Sequence, residues 1–307
     1  MSKIAIIGAG FVGSTAAYAL VLQGIAGEIA LIDVNKQKAE GEALDLEHSM
    51  PYLKHTVFTF GDDYALCKNA DIVVITAGFA QKQGETRLQL AARNATLFKE
   101  IVPKIVQYAP STIILVVTNP VDILTALTIK YSGLPKERVF GTGTALDTAR
   151  FRYLLGEAFH INPKSIHNFI LGEHGDTEFP VLSTANVSGL KLEFLEGYSQ
   201  DIVSAAFLRT KNAAYEIISK KGATYYAIGV VISRICRSIL EDQHEVMPVS
   251  TWIDNYYDVC GLCLSTPCVI GRNGIERRIQ LPLNESEIVA LQHSGNILKE
   301  ILEHIEN

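Results

Sequence analysis

The sequence predicts an α/β protein in which an N-terminal doubly wound parallel sheet, residues 1–141, precedes a C-terminal mixed α+β domain, residues 142–307. Two observations predict this fold. Short apolar runs recur through the first 120 residues, as in parallel strands that are buried on both faces. Beyond residue 141 helical patterns predominate. With 307 residues, 48% of them hydrophobic, the chain can bury a large core.

Composition excludes several classes of partner. The formal net charge of −6 and the absence of a Lys/Arg-rich run argue against binding to nucleic acid. Five cysteines are too few for a disulfide framework, which favours a reducing cytosol. Cys260 and Cys263 form a CxxC motif near Cys268, but no histidine lies close in sequence. Their apolar surroundings predict buried strand cysteines and no metal site.

The first 27 residues contain a long uncharged segment, Ile4 to Gly27, whose length also suits a membrane span or a signal peptide. Residues 3–7 form a β-branched run, and Gly8 and Gly10 then interrupt it where a single helix would have to continue. The helix that starts at Phe11 and ends near Gly24 has only about 14 residues, too few to cross a bilayer. We therefore expect a strand, a turn and a helix, with no association with a membrane.

Read in this way, the turn spells G-x-G-x-x-G, the dinucleotide-binding fingerprint of a Rossmann fold. The first glycine makes the tight turn, the second lets the backbone approach a pyrophosphate, and the third allows close packing of helix on strand. A second strand ends in Asp33, 20 residues after Gly13, where a carboxylate can accept from ribose hydroxyls and repel the extra phosphate of NADP. The alternative is an ordinary solvated carboxylate. The residues expected to bind NAD here are Gly8, Gly10, Phe11, Val12, Gly13 and Asp33.

Two further apolar runs, residues 70–78 and 112–120, predict parallel strands, with a long helix over residues 85–109 between them. Ligands in doubly wound sheets bind beyond the carboxyl ends of the strands. Gly78 and Asn119 are therefore expected to border the cofactor.

The second half begins with a predicted helix over residues 143–160, and a strand then leads into His174. Helices around 201–220 and 225–241, short strands within 259–281 and a helix from Glu285 follow. Asp147 and Arg150 share one helix face, which is also the pattern of a surface ion pair. His174 lies between glycines, which also suits a plain turn residue.

In combination these motifs resemble the lactate and malate dehydrogenase family, and more narrowly its bacterial lactate enzymes. The resemblance rests on the glycine fingerprint, Asp147-Thr-Ala-Arg150 and Gly172-Glu-His174-Gly-Asp-Thr, and it spans essentially the whole chain. It implies an NAD-dependent enzyme of fermentation that interconverts L-lactate and pyruvate in the cytoplasm as a homotetramer. It also implies an NAD-binding first domain and a substrate-binding, catalytic second domain.

The resemblance assigns roles to individual residues. It implies that His174 relays the proton, that Asp147 holds the other ring nitrogen, and that Arg150 clamps the substrate carboxylate. Arg87, in a loop that resembles the family's closing loop, would polarise the substrate carbonyl. Asn119 would contact both substrate and cofactor.

Gln81 and Thr224 occupy the positions that bear on substrate choice. Malate enzymes of this family have arginine at the position of Gln81, and with glutamine a second carboxylate would be buried without a partner. Thr224 matches the opposite wall of the pocket, although a helix N-cap is an alternative role. Two further readings stay open, namely a dehydrogenase for malate or another 2-hydroxy acid and an NAD-binding scaffold without turnover.

Two cationic candidates lie outside this set. Arg152 is two residues beyond Arg150 and so points to another helix face, and His167 lies on the strand that leads to His174. Both match positions that bind fructose 1,6-bisphosphate between subunits in similar bacterial enzymes. The resemblance thus implies an allosteric site, whereas sequence alone favours solvated or locally paired side chains.

Overall fold

We describe a computed structural model that covers residues 1–80, 84 and 86–306, with the backbone only of Arg87 and Glu306. The predicted fold class is confirmed: a large, mostly parallel sheet with helices on both faces leads into a second part with a small antiparallel sheet. The described eight α-helices are α1 (Phe11–Leu22), α2 (Lys36–Glu47), α3 (Arg87–Tyr108), α4 (Val121–Ser132), α5 (Ala145–Phe159), α6 (Gln200–Lys221), α7 (Tyr226–Leu240) and α8 (Glu285–Glu306).

Six parallel strands form the first part of the large sheet, in the order 3-2-1-4-5-6. This order reverses direction between the first and fourth strands, which creates a crevice at the carboxyl ends where ligands bind in such sheets. The strands are β1 (Lys3–Ile7), β2 (Glu28–Ile32), β3 (Val57–Gly61), β4 (Ile72–Ile75), β5 (Ile113–Val116) and β6 (Val139–Gly141).

Three antiparallel strands extend the same sheet beyond β6, so that nine strands form one continuous surface. The junction is the pairing of Ser250 with Gly141. A separate three-stranded antiparallel sheet carries the segment that leads to His174. The remaining strands are β7 (Ile166–Leu171), β8 (Phe179–Val187), β9 (Leu190–Lys191), β10 (Glu245–Ile253), β11 (Leu262–Gly271) and β12 (Gly274–Arg278).

Side chains of the parallel strands pack on both faces of the sheet, which explains their continuous apolar sequences. Along β1, Ala5 and Ile7 pack towards α3, α4 and α8, whereas Ile4 and Ile6 pack towards α1 and α7. A third cluster, built from α5, α6, β7 and β8, closes the second part of the molecule around Phe151. Both the large sheet and the second part of the molecule therefore rest on closely packed apolar cores.

The N-terminal segment forms β1, a turn and α1, as the glycines predicted. Within the described part of the chain, no helix combines the length and the apolar character needed to span a membrane. Cys263 and Cys268 lie buried in β11, as expected, but Cys260 is exposed in the preceding turn. The expectation of a buried strand cysteine was wrong for Cys260 because the strand starts only at Leu262.

Candidate active site

The turn between β1 and α1 requires glycine at two of its three fingerprint positions. Gly8 has φ +101°, and a Cβ there would lie 2.7 Å from the backbone nitrogen of Ala77. A Cβ on Gly13 would lie 1.9 Å from the carbonyl oxygen of Gly8, so the helix packs directly on the turn. At Gly10, by contrast, a Cβ would meet nothing within 4 Å. The chain thus leaves an open cradle above Gly10.

This cradle suits a dinucleotide pyrophosphate. Gly10 is the N-cap of α1 and provides no side-chain hydrogen bond to the helix start. The first amide groups of α1 therefore keep donors and a positive dipole end for an anion. Phe11 and Val12 follow at the helix start, and the Phe11 side chain is 67% exposed beside the turn.

Asp33 lies at the carboxyl end of β2, directly beside the turn. Its Oδ2 accepts a hydrogen bond of 2.7 Å from the amide of Ala9, and its Oδ1 accepts one of 2.9 Å from the amide of Asn35. These bonds fix the carboxylate at the rim of the cradle, where its remaining lone pairs can accept from ribose hydroxyls.

The loops that follow β4 and β5 are tied together by Asn94, which is fully buried in α3. Its Oδ1 accepts from the amide of Phe79 at 2.8 Å, and its Nδ2 donates to the carbonyl of Asn119 at 2.8 Å. Gly78 is needed because a Cβ there would lie 2.2 Å from Thr118 Cγ2. Gly78 and Asn119 therefore lie next to each other at the carboxyl edge of the sheet.

His174, Asp147 and Arg150 meet in one buried cluster. His174 Nδ1 lies 2.6 Å from Asp147 Oδ2, and Arg150 donates to Asp147 Oδ1 at 2.9 Å. The side chains of Asp147 and Arg150 are only 4% and 13% exposed, so this is not a surface ion pair. Nδ1 of His174 is thereby engaged, and Nε2 is the ring atom left for another partner.

Local structure explains why these side chains face one another. Asp147 lies in the first turn of α5, where the helix dipole favours a carboxylate. After β7 the chain turns at Gly172 (φ +92°), and the amide of His174 donates to Oδ2 of the buried Asp122 at 2.8 Å. The imidazole is thus fixed through its backbone and through its ring.

The electrostatics of the cluster favour the imidazolium form. Burial disfavours the charged ring, but the charge and hydrogen bond of Asp147, with Glu178 and Asp122, raise the pKa of His174 to about 9. Although burial opposes ionisation of Asp147 as well, His174 and Arg150 hold its pKa below the ordinary value. The pair can therefore carry a proton at neutral pH and release it to an acceptor at Nε2.

These side chains line a cleft of about 230 Å³ that also has apolar walls. Asn119, Asp147, Arg150 and His174, all predicted, lie around it together. Its apolar walls, including parts of α3, α6 and α8, can exclude water from a reacting centre. The apolar lining residues are Leu90, Ala91, Ile123, Ala214, Ile218, Leu298 and Ile301.

Other predicted site residues have different outcomes. Thr224 is half-buried between α6 and α7 and does not line the cleft. Its alternative role as a helix N-cap was wrong, because the N-cap of α7 is Tyr225. Arg87 is the first residue of α3, at the edge of the loop it was assigned to. Gln81 lies outside the described residues.

Sequence reasoning missed four carboxyl groups that line the cleft, those of Asp122, Glu173, Asp176 and Glu178. Asp122 follows Asn119-Pro120 in the first turn of α4, and its place at the carboxyl edge of the sheet was the signal that could have found it. Glu178 ends the segment that contains His174, but only the fold of that turn brings it to the cleft.

Two groups of described residues have the side chains to hold a metal ion. They are Asp147, His174 and Glu178 in the cleft, and Asp242, His244 and Glu276 on the surface. In the first group both oxygens of Asp147 already bind His174 and Arg150.

Arg152 and His167, the predicted allosteric pair, lie near the start of the small sheet. Arg152 is partly buried, donates to the carbonyl of Asn168 at 3.0 Å and lies over the ring of Phe169. Burial, followed by the charge of Arg234, lowers the pKa of Arg152. His167 is exposed on β7.

Comparisons with known proteins agree with this geometry. Residues 2–141 match the family model of the lactate/malate dehydrogenase NAD-binding domain, and residues 144–307 match that of the lactate/malate dehydrogenase α/β C-terminal domain. The chain is 47% identical to L-lactate dehydrogenase of Acetivibrio thermocellus, with all of this chain and 98% of that protein aligned.

Solved structures give the same result. A lactate dehydrogenase from a Medee basin deep-sea metagenome library superposes with a TM-score of 0.96 at 41% identity, covering 100% of this chain and 99% of the other. The minor L-lactate dehydrogenase of Enterococcus mundtii, solved in a ligand-bound form, gives 0.95 at 41% identity, covering 99% and 98%.

Proposed function

The chain belongs to the lactate/malate dehydrogenase family, and we propose that it is an NAD-dependent L-lactate dehydrogenase, which interconverts L-lactate and pyruvate. The observation that carries the proposal is the buried cluster of His174, Asp147 and Arg150 beside the open dinucleotide cradle. A proton donor and a carboxylate clamp thus share one cleft, and the cofactor cradle lies at the same carboxyl edge of the parallel sheet as Asn119, which lines that cleft.

The cofactor site is built by the turn at Gly8, Gly10 and Gly13, with Asp33 at its rim. The open space at Gly10 and the uncapped start of α1 fit the pyrophosphate of NAD. NAD held there would supply the acceptor for the hydride from C2 of lactate, and NADH would supply the hydride for the reduction of pyruvate. The carboxylate of Asp33 favours NAD because it would repel the additional phosphate of NADP.

The substrate is oriented by Arg150 and protonated by His174. The guanidinium of Arg150 binds the carboxylate of the 2-oxo acid, which places the carbonyl oxygen near His174 Nε2. His174 donates its proton to that oxygen during pyruvate reduction and takes it back during lactate oxidation. Asp147 keeps the proton on the correct ring nitrogen and stabilises the charged ring.

The loop that leads into α3 supplies the remaining specificity in this proposal. Arg87, at the start of α3, polarises the carbonyl when the loop closes, and Gln81 leaves a second carboxylate without a counter-charge. Thr224 has no role in this proposal, because it does not line the cleft. Initial rates with pyruvate, oxaloacetate and 2-oxoisocaproate test the assignment, and pyruvate should be reduced fastest. A preference for oxaloacetate or 2-oxoisocaproate would replace it with another 2-hydroxy acid dehydrogenase, and no turnover would indicate a binding scaffold.

We also propose a cytoplasmic homotetramer that binds fructose 1,6-bisphosphate at Arg152 and His167. The five free cysteines suit a reducing compartment. Two cationic pairs across a two-fold axis would bind the phosphates of one ligand and repel each other without it. Bisphosphate should then lower the KM for pyruvate and tighten the tetramer. If the curves of rate against pyruvate concentration superimpose with and without bisphosphate at mildly acidic and mildly alkaline pH, the proposed allosteric site is wrong.

A further inference from the structure

Glu178 places an additional carboxyl group in the substrate cleft. Glu178 is only 6% exposed. One of its carboxyl oxygens lies within 4.8 Å of a carboxylate oxygen of Asp147 and of a ring nitrogen of His174. Among the described residues no side chain or amide donates a hydrogen bond to it. A buried carboxyl group without donors is costly to ionise.

The nearby cations are engaged elsewhere. Lys211 of α6 donates to the carbonyl of Asp176 at 2.7 Å, and Arg150 donates to Asp147. Burial, followed by the charge of Asp147, raises the pKa of Glu178 to about 8. The charged and titratable groups that line the cleft with Glu178 are Asp147 and Arg150 from α5, Lys211 and Tyr215 from α6, His174, Glu173 and Asp176 from its own loop, and Asp122 from α4.

We propose that Glu178 is a second proton-binding group of the cleft, which must be neutral for the carboxylate of a 2-oxo acid to bind beside His174. This rests on the proposed function, because the anionic substrate is what makes an ionised Glu178 unfavourable. Pyruvate brings one negative charge to Arg150, whose guanidinium already binds Asp147. An ionised Glu178 would add a further negative charge inside a poorly hydrated cleft. Substrate binding and a proton on Glu178 are then linked.

A merely supporting role for Glu178 predicts the opposite behaviour. If the carboxylate only stabilised the imidazolium, Glu178→Gln would let His174 lose its proton at lower pH, and activity would fall earlier on the alkaline side. If Glu178 must be neutral, glutamine mimics the competent form permanently. The variant should then resist alkaline pH better than the wild type. The sign of the change distinguishes the two roles.

The first test measures kcat/KM for pyruvate between pH 6 and 10. Ionisation of Glu178 with a pKa near 8 should by itself lower kcat/KM about tenfold between pH 7 and pH 9. The decrease in kcat/KM over that range should therefore be about tenfold smaller in Glu178→Gln than in the wild type, and the difference should lie mostly in KM. Glu178→Asp should keep the wild-type loss, and Glu193→Gln, at an exposed glutamate, serves as the matched control. An equal or steeper loss in Glu178→Gln overturns the proposal.

The wild type alone gives a second readout that does not depend on a variant folding. With two required protons, on His174 and on Glu178, log(kcat/KM) should approach a slope of −2 above pH 9, and a limiting slope of −1 overturns the proposal.

A third test measures binding directly, with oxamate, an unreactive analogue of pyruvate, and the enzyme–NADH complex. Calorimetry at pH 8 in two buffers of different ionisation enthalpy gives the protons taken up on binding. The wild type should take up about half a proton more than Glu178→Gln, because about half of Glu178 is ionised at its pKa. Equal proton uptake by the wild type and Glu178→Gln overturns the proposed role of Glu178 but leaves the proposed function intact. A wild type that neither reduces pyruvate nor binds oxamate overturns the proposed function itself, and this inference with it.

Discussion

The hydrogen bond between His174 Nδ1 and Asp147 Oδ2 determines which ring nitrogen can exchange a proton with a ligand. Because Asp147 is buried and only its Oδ1 is bonded to Arg150, the imidazole cannot turn without leaving Oδ2 of that carboxylate without a partner. The orientation of His174 is thus set by groups that are themselves fixed.

Replacing His174 should therefore separate chemistry from cofactor binding. His174→Ala should lower kcat for pyruvate reduction by about two orders of magnitude or more, the usual scale of acid–base catalysis, while the Kd for NADH stays within about twofold. His293→Ala, at an exposed position of α8, provides the control. Near-normal turnover in His174→Ala would show that another group supplies the proton.

Asp33 allows a second prediction for a single side chain. Asp33→Ser removes the negative charge at the rim of the cradle but keeps an acceptor, so the ratio of kcat/KM with NADH to that with NADPH should fall about tenfold or more. Asp62→Ser, at an exposed aspartate, is the matched control. A wild type that uses both cofactors equally would contradict this role.

At the scale of elements, the glycines of the β1–α1 turn have two different functions: Gly13 is needed for packing within the protein, and Gly10 leaves space for a ligand. Gly13→Ala forces a Cβ onto the carbonyl of Gly8 and should destabilise the protein by about 1–3 kcal/mol. Gly10→Ala enters open space, so it should leave thermal stability nearly unchanged and weaken NADH binding about tenfold or more. Thermal unfolding and NADH titration of both variants check this contrast, which equal losses of stability would contradict.

The same scale shows where sequence patterns suffice. β1, β2, β4 and β5 were predictable because strands buried on both faces carry unbroken apolar runs. β10 was not, since Pro248 lies in its middle and proline normally argues against an inner strand. Pro248 lies opposite Pro267 of β11, a pairing that local sequence cannot reveal.

The site was predictable to a similar extent and for related reasons. The motifs around Asp147 and His174 have fixed local spacing, so the resemblance could assign them roles. Glu178 acquires a role only through its distance from Asp147 and the lack of a donor, both of which depend on tertiary packing. Asp122 likewise becomes relevant through a backbone amide 52 residues away.

For the whole molecule, three buried groups link folding to pH in the same direction. Burial raises the pKa of Asp122 to about 6 and of Glu178 to about 8, and Asp147 outweighs burial to raise that of His174 to about 9. The folded state therefore binds these protons more tightly than the unfolded state. Their stabilisation is complete below the unfolded pKa of each group and is lost as pH rises through the folded pKa.

Thermal unfolding should show this linkage. Between pH 6.5 and 9, Glu178 and His174 each weaken stability by at most about 1.4 kcal/mol per pH unit, so Tm should fall by several degrees. Glu178→Gln should show a flatter dependence, and Glu193→Gln should follow the wild type. A Tm that stays constant or rises over this range would contradict the direction of the shifts.

The pairing of Ser250 with Gly141 has a consequence for recombination between relatives. A Cβ on Gly141 would lie 2.5 Å from Thr125 Oγ1 and 3.2 Å from Ser250 Cβ, so β6 and β10 fit each other closely at this point. A chimaera that takes residues 1–141 from one parent and the remainder from another would pair β6 of the first parent with β10 of the second. Such chimaeras should fold only when the two parents have compatible residues where β6 meets β10, although position 141 is also the boundary between the two domains.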